Sequence, residues 1–181
     1  MARVTQTNIF ENEITSTIDA FFHTFRLAYF LKCVGACKMR GVSAVKLFRE
    51  LFALVFQHRT MFRFVSSNSQ EIGKDAFYRF INSCRINWMR FTTLLAAKVV
   101  RDFIEPLTDK TRVNVFIVDD TPYKRNRSKK VELLSRNYDH CEKVYYRGFR
   151  LLTLGFSDGN TFVPVNSCLL TSDQCHECLK G

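Results

Sequence analysis

Val-Asn-Val-Phe-Ile-Val-Asp-Asp, residues Val113 to Asp120, is strongly β-prone and ends abruptly in two adjacent carboxylates. Four of its first six residues are β-branched and one is aromatic, a composition that predicts a strand buried on both faces. Asp119 and Asp120 then fall where a central strand leaves the core. A carboxylate held there on a rigid element is the kind of ligand that Mg²⁺ prefers. The same four residues, Asp-Asp-Thr-Pro, also make an ordinary turn. Spacing by itself leaves both readings standing.

Downstream, Lys124, Arg125, Arg127, Lys129 and Lys130 follow the two acids within a few residues. A phosphate backbone would be drawn to these cations and brought to a metal held by the carboxylate, although a basic run of this kind is also what a solvated loop looks like. The structure of Val131 to His140 cannot be read from its pattern. Tyr145–Phe156 reads as a second strand and Thr161–Leu170 as a third. Ser157-Asp158-Gly159-Asn160 between them is a hairpin signal, because Asp-Gly supplies positive φ.

Upstream the pattern is helical. Ile14, Ile18, Phe21, Phe22, Phe25 and Tyr29 form an apolar stripe over one or two helices from Ile9 to about Cys33. Ser43 is a plausible cap for a helix carrying Ala44, Val45, Phe48, Leu51, Phe52, Val55 and Phe56. His58–Lys74, polar at its centre, reads as a loop. Asp75 is the expected cap of a short helix through Ile81. Asn87 is the expected cap of a longer one from Trp88 to about Ile104, which stops before Pro106. Arg79, Arg85 and Arg90 lie on outward faces of this pair, which is either a helix-turn-helix or an ordinary antiparallel pair with solvated charges. The class is therefore α+β: a helical bundle over 1–108, read as the DNA-binding region, and a strand-rich part over 109–181.

Composition limits the partners. With 27 Lys and Arg against 17 Asp and Glu, the chain carries a formal charge of +10 and favours a polyanion, nucleic acid first and an anionic membrane surface second. Forty-six per cent hydrophobic content in 181 residues excludes a disordered chain. No run approaches the ~18 apolar residues that span a bilayer, and the N-terminus has no signal-peptide pattern. Seven cysteines is an odd number in a chain of this length, so reduced thiols are expected. Cys175-His176-Glu177-Cys178 has zinc-like spacing and would need Cys33 and Cys37 to complete a tetrahedral site; a stray tail is the competing reading.

The residues from Val113 through Leu170 resemble the opening of the catalytic domain of bacterial insertion-sequence transposases of the DDE type. The resemblance rests on Val-Phe-Ile-Val-Asp-Asp-Thr-Pro-Tyr-Lys-Arg, on Tyr-Asp-His, and on Arg-Gly-Phe-Arg-Leu-Leu-Thr-Leu-Gly-Phe-Ser-Asp-Gly-Asn-Thr-Phe-Val-Pro-Val-Asn. Lys74-Asp-Ala-Phe-Tyr-Arg-Phe-Ile-Asn-Ser and Ile86-Asn-Trp-Met-Arg-Phe are similar to the helical segment that precedes that domain. The resemblance implies an RNase H-like fold with three antiparallel strands in a meander and a catalytic Asp at the end of the first. Asp120 is preferred over Asp119, because the family pattern places that Asp directly before a small hydroxyl residue, here Thr121. Adjacent strand residues face opposite ways, so only one of the two should hold metal.

The implied chemistry is phosphoryl transfer with two Mg²⁺ ions: cleavage at transposon ends, then attack of the 3′-hydroxyl on target DNA. The implied partner is double-stranded DNA, both ends and target. Homo-oligomerisation is left open, and no membrane or small-molecule substrate is expected. The implied setting is the bacterial cytoplasm, at the nucleoid. The resemblance also asks for a second Asp and a Glu on later elements, and Asp139, Glu142, Asp158 and Asp173 match neither position. The expectation is thus an N-terminal portion, inactive in cleavage by itself. The alternative is a non-catalytic DNA-binding module or regulator.

Overall fold

The computed structural model describes residues 2–37, 41–67, 72–109 and 111–170. They form two compact units, Met1–Leu95 and Ala96–Gly181. The class is α+β, with helices followed by an antiparallel sheet.

The first unit is built from α1 (Ala2–Thr24), α2 (Leu27–Cys33), α3 (Ala44–Phe56), α4 (Met61–Ser67), α5 (Lys74–Ile81) and the start of α6 (Trp88–Val99). The break between α1 and α2 is local: Arg26 takes a left-handed conformation at φ 54 and interrupts the hydrogen-bond ladder. Ser43 caps α3 as expected, its hydroxyl accepting from the Lys46 N–H at 3.2 Å. Asn87 caps α6 in the same way, through the Arg90 N–H at 2.9 Å.

Asp75 does not cap α5. Gly73 holds the cap position without a side-chain bond, and Asp75 sits in the first turn, where its charge still suits the helix dipole. Nor is His58–Lys74 a plain loop. Met61–Ser67 is helical, because Met61, Phe64 and Val65 can bury an apolar face against the core.

Leu27, Leu31, Leu47 and Phe77 are almost wholly buried and centre this core. Burying such side chains stabilises by about 1.5–3 kcal/mol each. Around them Phe48 meets the rings of Phe22, Phe52, Trp88 and Phe91, so the Phe-rich periodicity is used for packing. Tyr29, at the end of the anticipated stripe, is exposed, because the break at Arg26 shifts the phase of the helical face.

In the second unit the helix widens to a π turn, Val100–Ile104, and closes as a 3₁₀ turn, Glu105–Leu107. Pro106 is the cause: it lacks an N–H, and its ring would clash with the carbonyl four residues back. The sheet follows as β1 (Val115–Lys124), β2 (Ser135–Asp139), β3 (Val144–Ser157) and β4 (Phe162–Leu170). All pairings are antiparallel: β3 pairs with β1 over Gly148–Ser157, with β4 over Arg150–Ser157 and with β2 over Val144–Gly148.

Three expectations change here. The sheet has four strands rather than three, the extra one being β2 in the segment whose pattern was unreadable. β1 does not end at the acids, since Asp-Asp-Thr-Pro continues it to Lys124. And β1 is exposed along its whole length instead of buried on both faces, since it lies at the sheet edge with β3 as its strand partner among the described residues. An edge position also tolerates Pro122, which cannot donate to a ladder. The β3–β4 turn is as expected, with Gly159 at φ 85.

Candidate active site and nucleic-acid interface

Because β1 is a regular strand through the acids, its pleat points Asp119 and Asp120 to opposite faces of the sheet. Opposite Asp119 lies Thr153, which pairs in turn with Ser167 on β4; opposite Asp120 lies Leu152. On its own face Asp119 accepts a hydrogen bond from the Thr121 hydroxyl at 2.9 Å. On the other face Asp120 is ion-paired with the Arg150 guanidinium. Arg150 was absent from the sequence-derived site. No local turn fixes the β1–β3 register, so nothing in the sequence placed it beside Asp120.

The donor chemistry suits a hard divalent cation, which takes carboxylate oxygen. Asp120 fits as one such ligand. Among the described residues no three His, Cys, Asp or Glu side chains gather into a ligand-like group. Asp139 and Glu142 serve a different purpose. Asp139 accepts from the Cys141 and Glu142 N–H groups at 3.0 and 3.1 Å, which closes the β2–β3 turn. These bonds, the Glu142 N–H foremost and the Lys124 ammonium next, hold its carboxyl below the usual range.

Asp158 is likewise structural. Its side chain accepts from the Thr161 and Asn160 N–H groups at 2.7 and 3.1 Å and from the Thr108 hydroxyl at 2.9 Å, and it is paired with Arg112 at 3.3 Å. The Thr161 N–H and the Thr108 hydroxyl are the main reasons its carboxyl lies far below the normal value. One buried carboxylate thereby fixes the β3–β4 turn to the segment leading into β1. The tight Asp-Gly turn explains Asp158, as the spacing suggested. Asp173, Cys175 and Cys178 lie outside the described residues; Cys33 and Cys37 are free thiols, the first half-buried and the second exposed.

The basic segment leaves the end of β1 and is anchored to β3. The Arg125 N–H donates to the Arg147 carbonyl at 2.7 Å, the Arg147 N–H donates to Asn126 Oδ1 at 2.9 Å, and the Arg147 guanidinium reaches the Ser128 carbonyl at 3.5 Å. Backbone contacts thus set the course of the loop and leave the side chains of Arg127, Lys129 and Lys130 exposed. Lys124 is different, being paired with Glu142 and, at 3.2 Å, with Asp139; the Glu142 carboxylate is the main cause of its raised pKa. Its charge is largely answered within the protein.

In the helical unit, Arg79 and Arg85 line one cleft of about 480 Å³ together with Ser83, Gly35 and Gly41. Arg79 is partly committed there, donating to the Asp75 carbonyl at 3.2 Å. The Arg90 side chain is exposed on α6. The described residues contain no helix long and apolar enough to cross a membrane.

No curated protein and no solved structure matches the chain. A protein family described as DDE superfamily endonuclease matches residues 30–178, well over half of its length. That match carries a transposase-like nuclease function with nucleic acid as substrate, and on it the chain belongs to the DDE superfamily endonucleases.

Proposed function

We propose that the chain contributes to DNA cleavage and strand transfer of the transposase type. In this reading Asp120 supplies one carboxylate of a divalent-metal site, and the segment Arg125–Lys130 holds the phosphate backbone. The supporting observation is that one element, β1 with its anchored continuation, carries both the carboxylate and the cations. A divalent ion bound at such a site neutralises charge on the scissile phosphate and lowers the pKa of bound water. The protein's own part is positional. β1 fixes the carboxylate by strand pairing, and the ion pair with Arg150 on the same face orients it. In the helical region, 1–108 in this reading, Arg79, Arg85 and Arg90 add phosphate contacts, which position DNA without reading its sequence.

DNA affinity measured with Mg²⁺ and with an ionic-strength-matched monovalent salt tests the assignment. Wild type should gain from Mg²⁺ at least several-fold, D119N should keep the gain, and D120N should lose it. D120N should also bind DNA more tightly in EDTA, since Arg150 is then free to meet a phosphate. Loss of the Mg²⁺ gain in D119N with retention in D120N would transfer the role to Asp119.

The Arg150 pair favours a second reading as well. A carboxylate already neutralised by a guanidinium suits a module that binds DNA ends without cutting them. That reading gives no Mg²⁺ gain in any variant and a DNA affinity that still falls steeply with salt.

A further inference from the structure

The outer face of the β2–β3 hairpin has no role in the carboxylate site. The register pairs Arg136 with Arg147 and Tyr138 with Tyr145, so these four side chains share one face of the sheet. All four are exposed, while Ser135, Asp139 and Tyr146 of the opposite face are buried. The Tyr138 and Tyr145 rings lie 4.9 Å apart, and the Arg136 guanidinium sits 4.4 Å over Tyr145. Farther along the same face Tyr123, stacked over the buried Phe149, carries the Arg125 guanidinium at 4.6 Å.

Local packing explains the tyrosine pair, the seat of Arg136 on Tyr145 and the reach of Arg147 to the Ser128 carbonyl, but not two facing positive charges. Two like charges directly opposite on adjacent strands are destabilising, and among the described residues neither Arg136 nor Arg147 has a carboxylate partner. Exposed aromatic faces with guanidinium groups against them are what unpaired nucleobases stack on, with the phosphates answering the charge. The distance from Tyr145 to Tyr123, four residues along the strand, is about 13 Å, which roughly two to four nucleotides of a single strand cover. The basic loop at Arg125–Lys130 is anchored to this hairpin through Arg147, so the phosphates have a continuation.

We propose that Arg136, Tyr138, Tyr145 and Arg147, with Tyr123 and Arg125 beside them, form a stacking platform for unpaired DNA nucleotides. The inference rests on the DNA reading above. The platform occupies the face that carries Asp119 and is turned away from Asp120, so it is a contact area additional to the carboxylate site.

The test compares binding of the full chain to a blunt duplex and to the same duplex with a single-stranded tail of about six nucleotides, within the range one stacking groove holds. Wild type should prefer the tailed DNA. Y138A/Y145A should weaken tailed binding by about 10-fold or more and leave blunt binding unchanged. Y138F/Y145F should behave as wild type, since the rings remain. Bromodeoxyuridine in the tail should photo-crosslink to the peptide containing residues 136–147. Blunt binding with no tail preference in wild type, tailed binding unaffected in Y138A/Y145A, or crosslinks confined to other peptides would overturn the platform and leave the DNA reading intact. Absence of binding to either DNA would overturn both.

Discussion

Gly148 lies where β3 changes partners, opposite Lys124 of β1 on one edge and Ser135 of β2 on the other. A Cβ there would stand 2.2 Å from the Tyr123 carbonyl oxygen and 3.1 Å from both the Arg125 nitrogen and the Lys124 Cα. All three are backbone atoms, which cannot swing aside as a side chain does, so Gly148→Ala must move β1 off β3 by ~1 Å. Overpacking of this kind costs about 1–3 kcal/mol. Weakening the last ladder bonds of β1 adds roughly 1 kcal/mol for each bond lost. Stiffening of the unfolded chain returns only about 0.4–1 kcal/mol, so the net loss is ~2–4 kcal/mol. Amide hydrogen exchange reads this locally: protection at Tyr123 and Arg125, whose N–H groups face β3, should fall by about 30- to 1000-fold, at ~1.4 kcal/mol per decade. Gly155→Ala is the control. Its added Cβ would meet the Phe162 ring at 2.1 Å, but that side chain is half-exposed at 52% and can swing away, so the cost should stay below about 1 kcal/mol. Equal losses in the two variants, or wild-type protection in Gly148→Ala, would refute the steric argument.

Two further outcomes follow from packing and charge. Phe77→Ala empties a fully buried site in the helical core and should lower stability by about 3–5 kcal/mol in urea titration followed by Trp88 fluorescence; a loss under ~1 kcal/mol would mean that the core collapses to fill the space. Asp158 has a folded-state pKa far below its ordinary 3.8, so its contribution is complete above the unfolded value and disappears as pH falls through and below it. Asp158→Asn should therefore lower stability at pH 7 and flatten the decline between about pH 5 and pH 2, and an unchanged acid limb would remove Asp158 as its cause.

How much of this was legible in the sequence depends on the range of the interaction. Helix α3 and its Ser43 cap, α6 and its Asn87 cap, and the Asp158-Gly159 turn are written within a few residues and could be read. Met61–Ser67 was missed because its helix rests on tertiary burial of Phe64 against the ring of Phe77, which no local propensity records. Strand β2 was missed for a related reason: Ser-Arg-Asn-Tyr-Asp has weak strand propensity, and its partner is supplied by the overhanging start of β3. The edge position of β1 was equally hidden. Val-Phe-Ile-Val has the composition of a central strand, and only the pairing order shows that β3 takes that place.

The same dependence on register governs the two aspartates. Adjacent in sequence, they have different chemical surroundings because the strand continues past them: Asp119 beside the Thr121 hydroxyl, Asp120 beside the Arg150 guanidinium. A turn at Asp-Asp-Thr-Pro would have released both into solvent, where neither has a defined direction and either could follow a metal ion. Continuation of the strand to Lys124 removes that freedom, so a one-residue shift in the β1–β3 pairing exchanges their roles outright. The strand that fixes the carboxylates also sets the start of the basic loop, through the bond from the Arg125 N–H to the Arg147 carbonyl. In the proposed reading, a change that slips β1 along β3 should therefore alter the metal response and the course of the basic loop together, whereas a change confined to one carboxylate leaves the loop on its anchors.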